Sequence, residues 1–154
     1  MKRVLIFFIM LLTSCRSNTD LLYYKLVDQL KEVNISSLDI PFSIDISVEK
    51  LTDMELIYHV IIDEPKIDAK DVSVLVIHDI ETENIFPSLG IIDDKVDLLI
   101  NNENNSIKGI ALVGYLPIDI GTEINFKLRI EYKDDQKNKN IDYYLYKTTL
   151  IDIE

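Results

Sequence analysis

Between Ile124 and Tyr132 apolar and polar side chains alternate without a break. Ile124, Phe126, Leu128, Ile130 and Tyr132 fall on one phase, and Asn125, Lys127, Arg129 and Glu131 on the other. Such a run fits a half-buried strand with one buried face and one wet face, and it rules out a helix, whose apolar positions recur every three or four residues. The same period organises most of the chain from Leu38 onward. Ile44, Ile46 and Val48 alternate with Asp45 and Ser47; Leu56 to Ile62 is apolar on both phases apart from His59; Val72 to Ile77 is apolar apart from Ser73 and reads as a strand covered on both sides. Ile85-Phe86 reads as no more than an edge, because Pro87 follows and lacks a ladder donor. Val96 to Ile100, Ile107 to Leu116, Glu123 to Tyr132 and Asp142 to Leu150 bring the set to about eight.

Turn residues separate these runs, namely Asp63-Glu64-Pro65, Asn101 to Asn105, and Asp134 to Asn140, the last joining two strands as a hairpin. Strands at nearly regular spacing with no helical runs between them predict a mainly β fold, an antiparallel two-sheet sandwich over residues 38–154, and exclude a βαβ arrangement. The stretch Lys108-Gly109-Ile110-Ala111-Leu112-Val113-Gly114-Tyr115-Leu116-Pro117, followed by the alternation from Phe126 to Tyr132, resembles the immunoglobulin-like domains of bacterial surface lipoproteins. The chain has one cysteine and no tryptophan, so the resemblance implies the sandwich architecture without the disulfide and tryptophan of antibody domains.

Ahead of the strands the period changes. Residues 19–34 read as one N-terminal α-helix, periodic from Thr19 to Val33, with Asn18 or Thr19 as N-cap and Asp20 in the first turn. Leu22, Leu26, Leu30 and Val33 are spaced to share a face, which is expected to pack on the chain's own domain. The mix of Asp20, Asp28 and Glu32 with Lys25 and Lys31 gives that helix no basic face for anionic lipid.

The first residues carry an address. Lys2 and Arg3 precede an apolar run from Val4 to Leu12, and small Thr13 and Ser14 lead into Cys15. Nine apolar residues fall well short of the roughly 20 that span a bilayer as a helix, so the run reads as a signal peptide over residues 1–14. Leu12-Thr13-Ser14-Cys15 resembles the lipobox of bacterial lipoproteins. That resemblance implies cleavage before Cys15, a covalent lipid on its sulfur, and a membrane-anchored, extracytoplasmic protein facing the cell surface or the periplasm. Two or more acyl chains anchor a protein stably without any spanning helix. Residues 15–18 then form a short tether, since three residues reach only about 10 Å.

With Lys2 and Arg3 removed, the formal charge becomes −13, two below the −11 of the whole chain. This balance excludes nucleic acid as a partner, because binding it calls for a clustered basic face. Motifs of catalysis are absent: there is no serine elbow, no phosphate-cradling glycine loop and no calcium loop of the EF-hand order. His59 lies on the phase of Ile57 and Ile61, and His78 on the phase of Val74 and Val76, so whether they meet depends on strand register. The acids Asp63, Glu64, Asp68 and Asp71, and in a second loop Asp93, Asp94 and Asp97, are of the type calcium takes but also of the type that solvates turns. Tyr143, Tyr144 and Tyr146 on the last strand make a candidate contact surface, with Tyr143 on the opposite phase from the other two. These features predict a non-catalytic binding or scaffolding protein of the cell envelope, with no metal or cofactor beyond the lipid, whose partner is another envelope protein or an extracellular ligand. The alternatives are a small hydrolase or metal-dependent enzyme built on His59, His78 or an acid pair, and a structural subunit of an envelope complex.

Overall fold

A computed structural model describes residues 18–80, 88–100, 107–117 and 123–149. Leu12, Thr13, Ser14 and Cys15, the Ile85-Phe86 edge and the Asn101 to Asn105 turn lie outside the described residues. The elements in chain order are helix α1 (Asn18–Lys31) and strands β1 (Ser43–Lys50), β2 (Glu55–Asp63), β3 (Ala69–His78), β4 (Ser88–Leu98), β5 (Ile110–Pro117), β6 (Glu123–Lys133) and β7 (Lys139–Thr149). All pairings are antiparallel, and they make two sheets, one ordered β1-β2-β5 and the other β4-β3-β6-β7.

The sheets face each other across one core. Leu56, Tyr58, Val60 and Ile62 of β2 meet Val72, Val74 and Val76 of β3 and Ile124, Phe126, Leu128 and Ile130 of β6, all buried. This is the period-two pattern turned into packing: each strand sends every second side chain inward. Tyr58 is directly opposite Gly114 in the β2–β5 ladder, and its ring lies where a side chain at 114 would stand. Burial pushes the Tyr58 phenol up to about 12.

The four-stranded sheet has a second, smaller cluster on its outer side. Val27 and Leu30 of α1 pack on Leu75 and Ile77 of β3, flanked by Tyr23, Leu26, Val33, Ile92 and Tyr143. The helix therefore docks on its own domain, through an arc set slightly round from the one expected. Leu22 is 46% exposed, and Tyr23 and Val27 take the buried side instead. The helix ends where Lys127 reaches up from β6, its Nζ donating to the carbonyls of Lys31 and Val33, 2.5 and 2.7 Å away. A lysine there satisfies carbonyls that have no partner within the helix and sits at the negative end of its dipole. Beyond it, Ser37 N–H donates to the Tyr143 carbonyl, and the Ser37 and Ser36 hydroxyls accept from the N–H groups of Tyr143 and Leu145. The outer edge of β7 is thus stitched to the segment after the helix.

Two strand expectations need correction. The β6 face opposite the core is not simply wet: Arg129 is buried, because α1 and its flanking residues cover the face it shares with Leu75 and Tyr143. The fourth strand runs Ser88–Leu98 rather than from Val96 to Ile100. Register shifts against β3 between Ala69, Val72 and Val74 obscure its period, and Asp71 in this stretch has a positive φ of 52°. The β6–β7 hairpin is as expected, with Asp134 accepting from the N–H groups of Gln136 and Asn138 across the loop.

Candidate functional site

The outer face of the three-stranded sheet has no covering element among the described residues. Register places three rows across it: Glu49, Ile57 and Tyr115; Ser47, His59 and Val113; Asp45, Ile61 and Ala111. The β2 and β5 columns are apolar apart from His59, and they reach solvent, with Ile61 37%, Val113 42% and Tyr115 58% exposed. The β1 column contributes the exposed acids Asp45 and Glu49, and Glu55 and Asp63 close the two ends of the β2 column. The stripe is apolar at its centre and bordered by carboxylates, with Ser47 opposite His59 in the β1–β2 ladder.

His78 lies elsewhere. It continues the inward phase of β3, half-buried, with its ring edge-on to Tyr58 at 5.8 Å and Phe126 at 6.2 Å between centroids. Burial holds its pKa below the ordinary imidazole value, partly offset by the charge of Asp79, and its Nδ1 is buried without a hydrogen-bond partner. Strand register therefore separates the two histidines: His59 faces out from one sheet and His78 faces into the gap between the two. A cleft of about 1040 Å³ passes His78 at the end of the four-stranded sheet, walled by Ile77, Phe126, Leu145 and Tyr146. Both carboxylate oxygens of the neighbouring Asp79 are taken by Asn125, through its backbone N–H at 2.8 Å and its side-chain amide at 2.6 Å. Neither Ser, Thr nor Cys lines this cleft among the described residues.

Of the acids expected in two loops, Asp71 stands in β3 and Asp93, Asp94 and Asp97 stand in β4, and Asp68, Asp71 and Asp97 act as fasteners. Asp68 accepts from the Ile100 N–H at 2.8 Å and Asp97 from the Asp71 N–H at 2.9 Å, so the two acidic segments hold each other. Asp71 pairs with Lys133 at 2.6 Å, and that hydrogen bond and charge lower its pKa. Among the described residues no three His, Cys, Asp or Glu side chains converge to hold a metal ion.

The three tyrosines of β7 divide between the two faces. Tyr143 packs into the cluster under α1, while Tyr144 and Tyr146 pack against the main core, and all three are half-buried. The tyrosine that stands most clear of these is Tyr115, which the sequence reading did not single out. The signal for it was present: β2 and β5 are apolar on both phases, which implies something on both faces, and the described residues supply a cover for only one.

One densely paired group deserves comparison with this bare stripe. Glu131, nearly buried, accepts from Arg129 at 2.6 Å and faces Lys139 at 2.9 Å and Lys95 at 3.4 Å. Burial alone would raise its pKa, but the hydrogen bonds and charges of Arg129 and Lys139 overcome that and bring it down to about 2. This network fastens β4, β6 and β7 on the helix side of the sheet. No helix among the described residues is long and apolar enough to cross a membrane. No protein-family model, curated protein or solved structure matches the chain.

Proposed function

We propose that this chain is a lipid-anchored, extracytoplasmic envelope protein whose immunoglobulin-like sandwich binds a protein partner without catalysis. The observation that carries the binding reading is the uncovered apolar stripe of Ile57, Ile61, Val113 and Tyr115. Its acidic border, Asp45, Glu49, Glu55 and Asp63, suits a partner surface that is apolar at the centre and basic at the rim. The strand order supports the immunoglobulin-like assignment: strands one, two and five form one sheet, and three, six and seven lie in the other, as in that family, with the fourth strand on the second sheet. The anchor reading rests on Leu12-Thr13-Ser14-Cys15 and fits a helix that begins at Asn18. Because α1 lies on the opposite side of the sandwich from the stripe, an anchor three residues before it turns the stripe away from the membrane.

Two measurements test this. Cys15→Ala should abolish palmitate labelling and leave the chain unprocessed or released from membranes; normal processing and retention overturn the anchor. A photo-crosslinking residue at Ile61 should give a discrete adduct with one envelope protein, whereas the same residue at Lys25 on the helix should not. Identical adducts from both positions overturn the docking face.

A further inference from the structure

A β-sandwich has four sheet edges, and unprotected edges pair with other strands. Three of the four are managed here. The edge strand β1 carries Asp45, Glu49 and Lys50; β4 carries Asp93, Asp94, Lys95 and Asp97 and is irregular in its pairing; β7 is fastened through Tyr143 and Leu145 to Ser36 and Ser37. The fourth, β5, reads Ile110-Ala111-Leu112-Val113-Gly114-Tyr115-Leu116-Pro117. It holds no charged residue, pairs with β2 on one side, and has no ladder partner on the other among the described residues.

We propose that β5 pairs with β5 of a second copy of this chain, antiparallel about Val113, to join the two three-stranded sheets into one of six strands. The strand is complementary to itself in this register. With Val113 opposite its symmetry mate, Leu112 meets Gly114, and Ala111 meets Tyr115, so on each face a large side chain lies beside a small one. Cross-strand neighbours of this kind interact directly, and the match also fixes register. A strand of eight residues gives a seam of about 27 Å at roughly 3.4 Å per residue.

Charge selects the same partner. A chain of net charge −11 meets a copy of itself at lowest cost along a strand without carboxylates, and β5 itself carries none, while Asp93, Asp94 and Asp97 belong to β4 of the other sheet on the same flank. In the joined sheet the order is β1-β2-β5-β5-β2-β1. The acids Asp45 and Glu49 of the two copies then stand at opposite margins, about 24 Å apart at roughly 4.8 Å per strand, well beyond a Debye length of about 8 Å. The apolar columns of β2 and β5 from both copies meet in the middle. An antiparallel seam has its two-fold axis perpendicular to the sheet, so both copies keep the same face outward and both α1 helices lie on the other side. Two copies held by N-terminal lipids in one membrane can therefore form it. The inference concerns the edge of β5 and stands apart from what the outer face binds.

The test uses the full chain with Cys15→Ser in mild detergent, so that an introduced thiol is the only one. Under a mild oxidant, Val113→Cys should give a covalent species at twice the 17.8 kDa of one chain. Ala111→Cys mixed with Tyr115→Cys should crosslink, and each alone should not. In sedimentation velocity the Cys15→Ser chain should run as a dimer, Val113→Lys should reduce it to a monomer by setting like charges opposite each other, and Ile61→Lys, on β2, should leave it a dimer. A monomeric Cys15→Ser chain, or crosslinking of Ala111→Cys and Tyr115→Cys each with itself as readily as with the other, overturns the proposal. Loss of the dimer in Ile61→Lys overturns it too, in favour of face-to-face stacking. Loss of the Ile61 adduct with the dimer intact bears only on the docking face.

Discussion

The two outer faces of this sandwich began from similar sequence and ended differently. Val72 to Ile77 and Leu56 to Ile62 are both apolar on both phases, so each strand needs a cover on its second side. For β3 the chain provides one: Val27 and Leu30 of α1 close over Leu75 and Ile77, Lys127 caps the helix, and the ion pairs around Glu131 lock the rest of the face. For β2 it provides none among the described residues, and Ile57, Ile61, Val113 and Tyr115 are left to solvent or to another molecule. Among the described residues one face thus has a helix, a lysine cap and a buried carboxylate, and the other leaves its apolar side chains bare.

That contrast can be broken by substitution. Leu30→Ala and Leu75→Ala each remove a side chain buried between helix and sheet, and each should cost about 2–5 kcal/mol in denaturant unfolding. If either costs no more than an exposed change, the helix does not stabilise the face it covers.

A second substitution sharpens it through pH. The Glu131 carboxyl titrates near 4.5 when unfolded and at about 2 when folded. Its contribution is therefore full above about pH 4.5 and lost as pH falls toward 2, and a shift of this size corresponds to about 3 kcal/mol. Glu131→Gln should lower stability at pH 7 by an amount of that order and flatten the acid limb between pH 4.5 and 2. An unchanged acid limb in the variant would show that the network contributes nothing to folding.

The smallest effect is expected on the bare face. Ile61→Ser replaces a side chain that is 37% exposed, and stability should move by only about 0.5 kcal/mol while the adduct formed by a photo-crosslinking residue at Ile57 is lost. A loss as large as that of Leu30→Ala would mean that the stripe belongs to the core after all.

What the sequence disclosed follows from how local each cause is. The alternation of Ile124, Phe126, Leu128, Ile130 and Tyr132 was readable because a strand sorts its own side chains, and all five are buried. The burial of Arg129 was not, because it depends on a helix about a hundred positions earlier in the chain. The length of β4 was hidden by its irregular pairing, which breaks period two at Asp93-Asp94. The histidines were visible as residues but not as places, since only pairing of β1, β2 and β5 puts His59 outside and only β3 against β6 puts His78 within. The exposed apolar stripe and the uncharged edge of β5 were present as composition but invisible as surface, because an exposed apolar residue looks the same in sequence as a buried one.

The seam between α1 and the rest also sets an order of assembly. Its fastenings run to Lys127, Tyr143 and Leu145, across separations of 94 to 109 residues. A chain is delivered N-terminus first, so the helix is the earliest described element to emerge and among the last to be fully fastened. Val27 and Leu30 find their seat on Leu75 and Ile77 once β3 is in place, and Lys127 caps the helix once β6 follows. Completion of β7 then ties down the segment after the helix through Ser36 and Ser37, so the last strand fastens a lid that the earlier strands have already received.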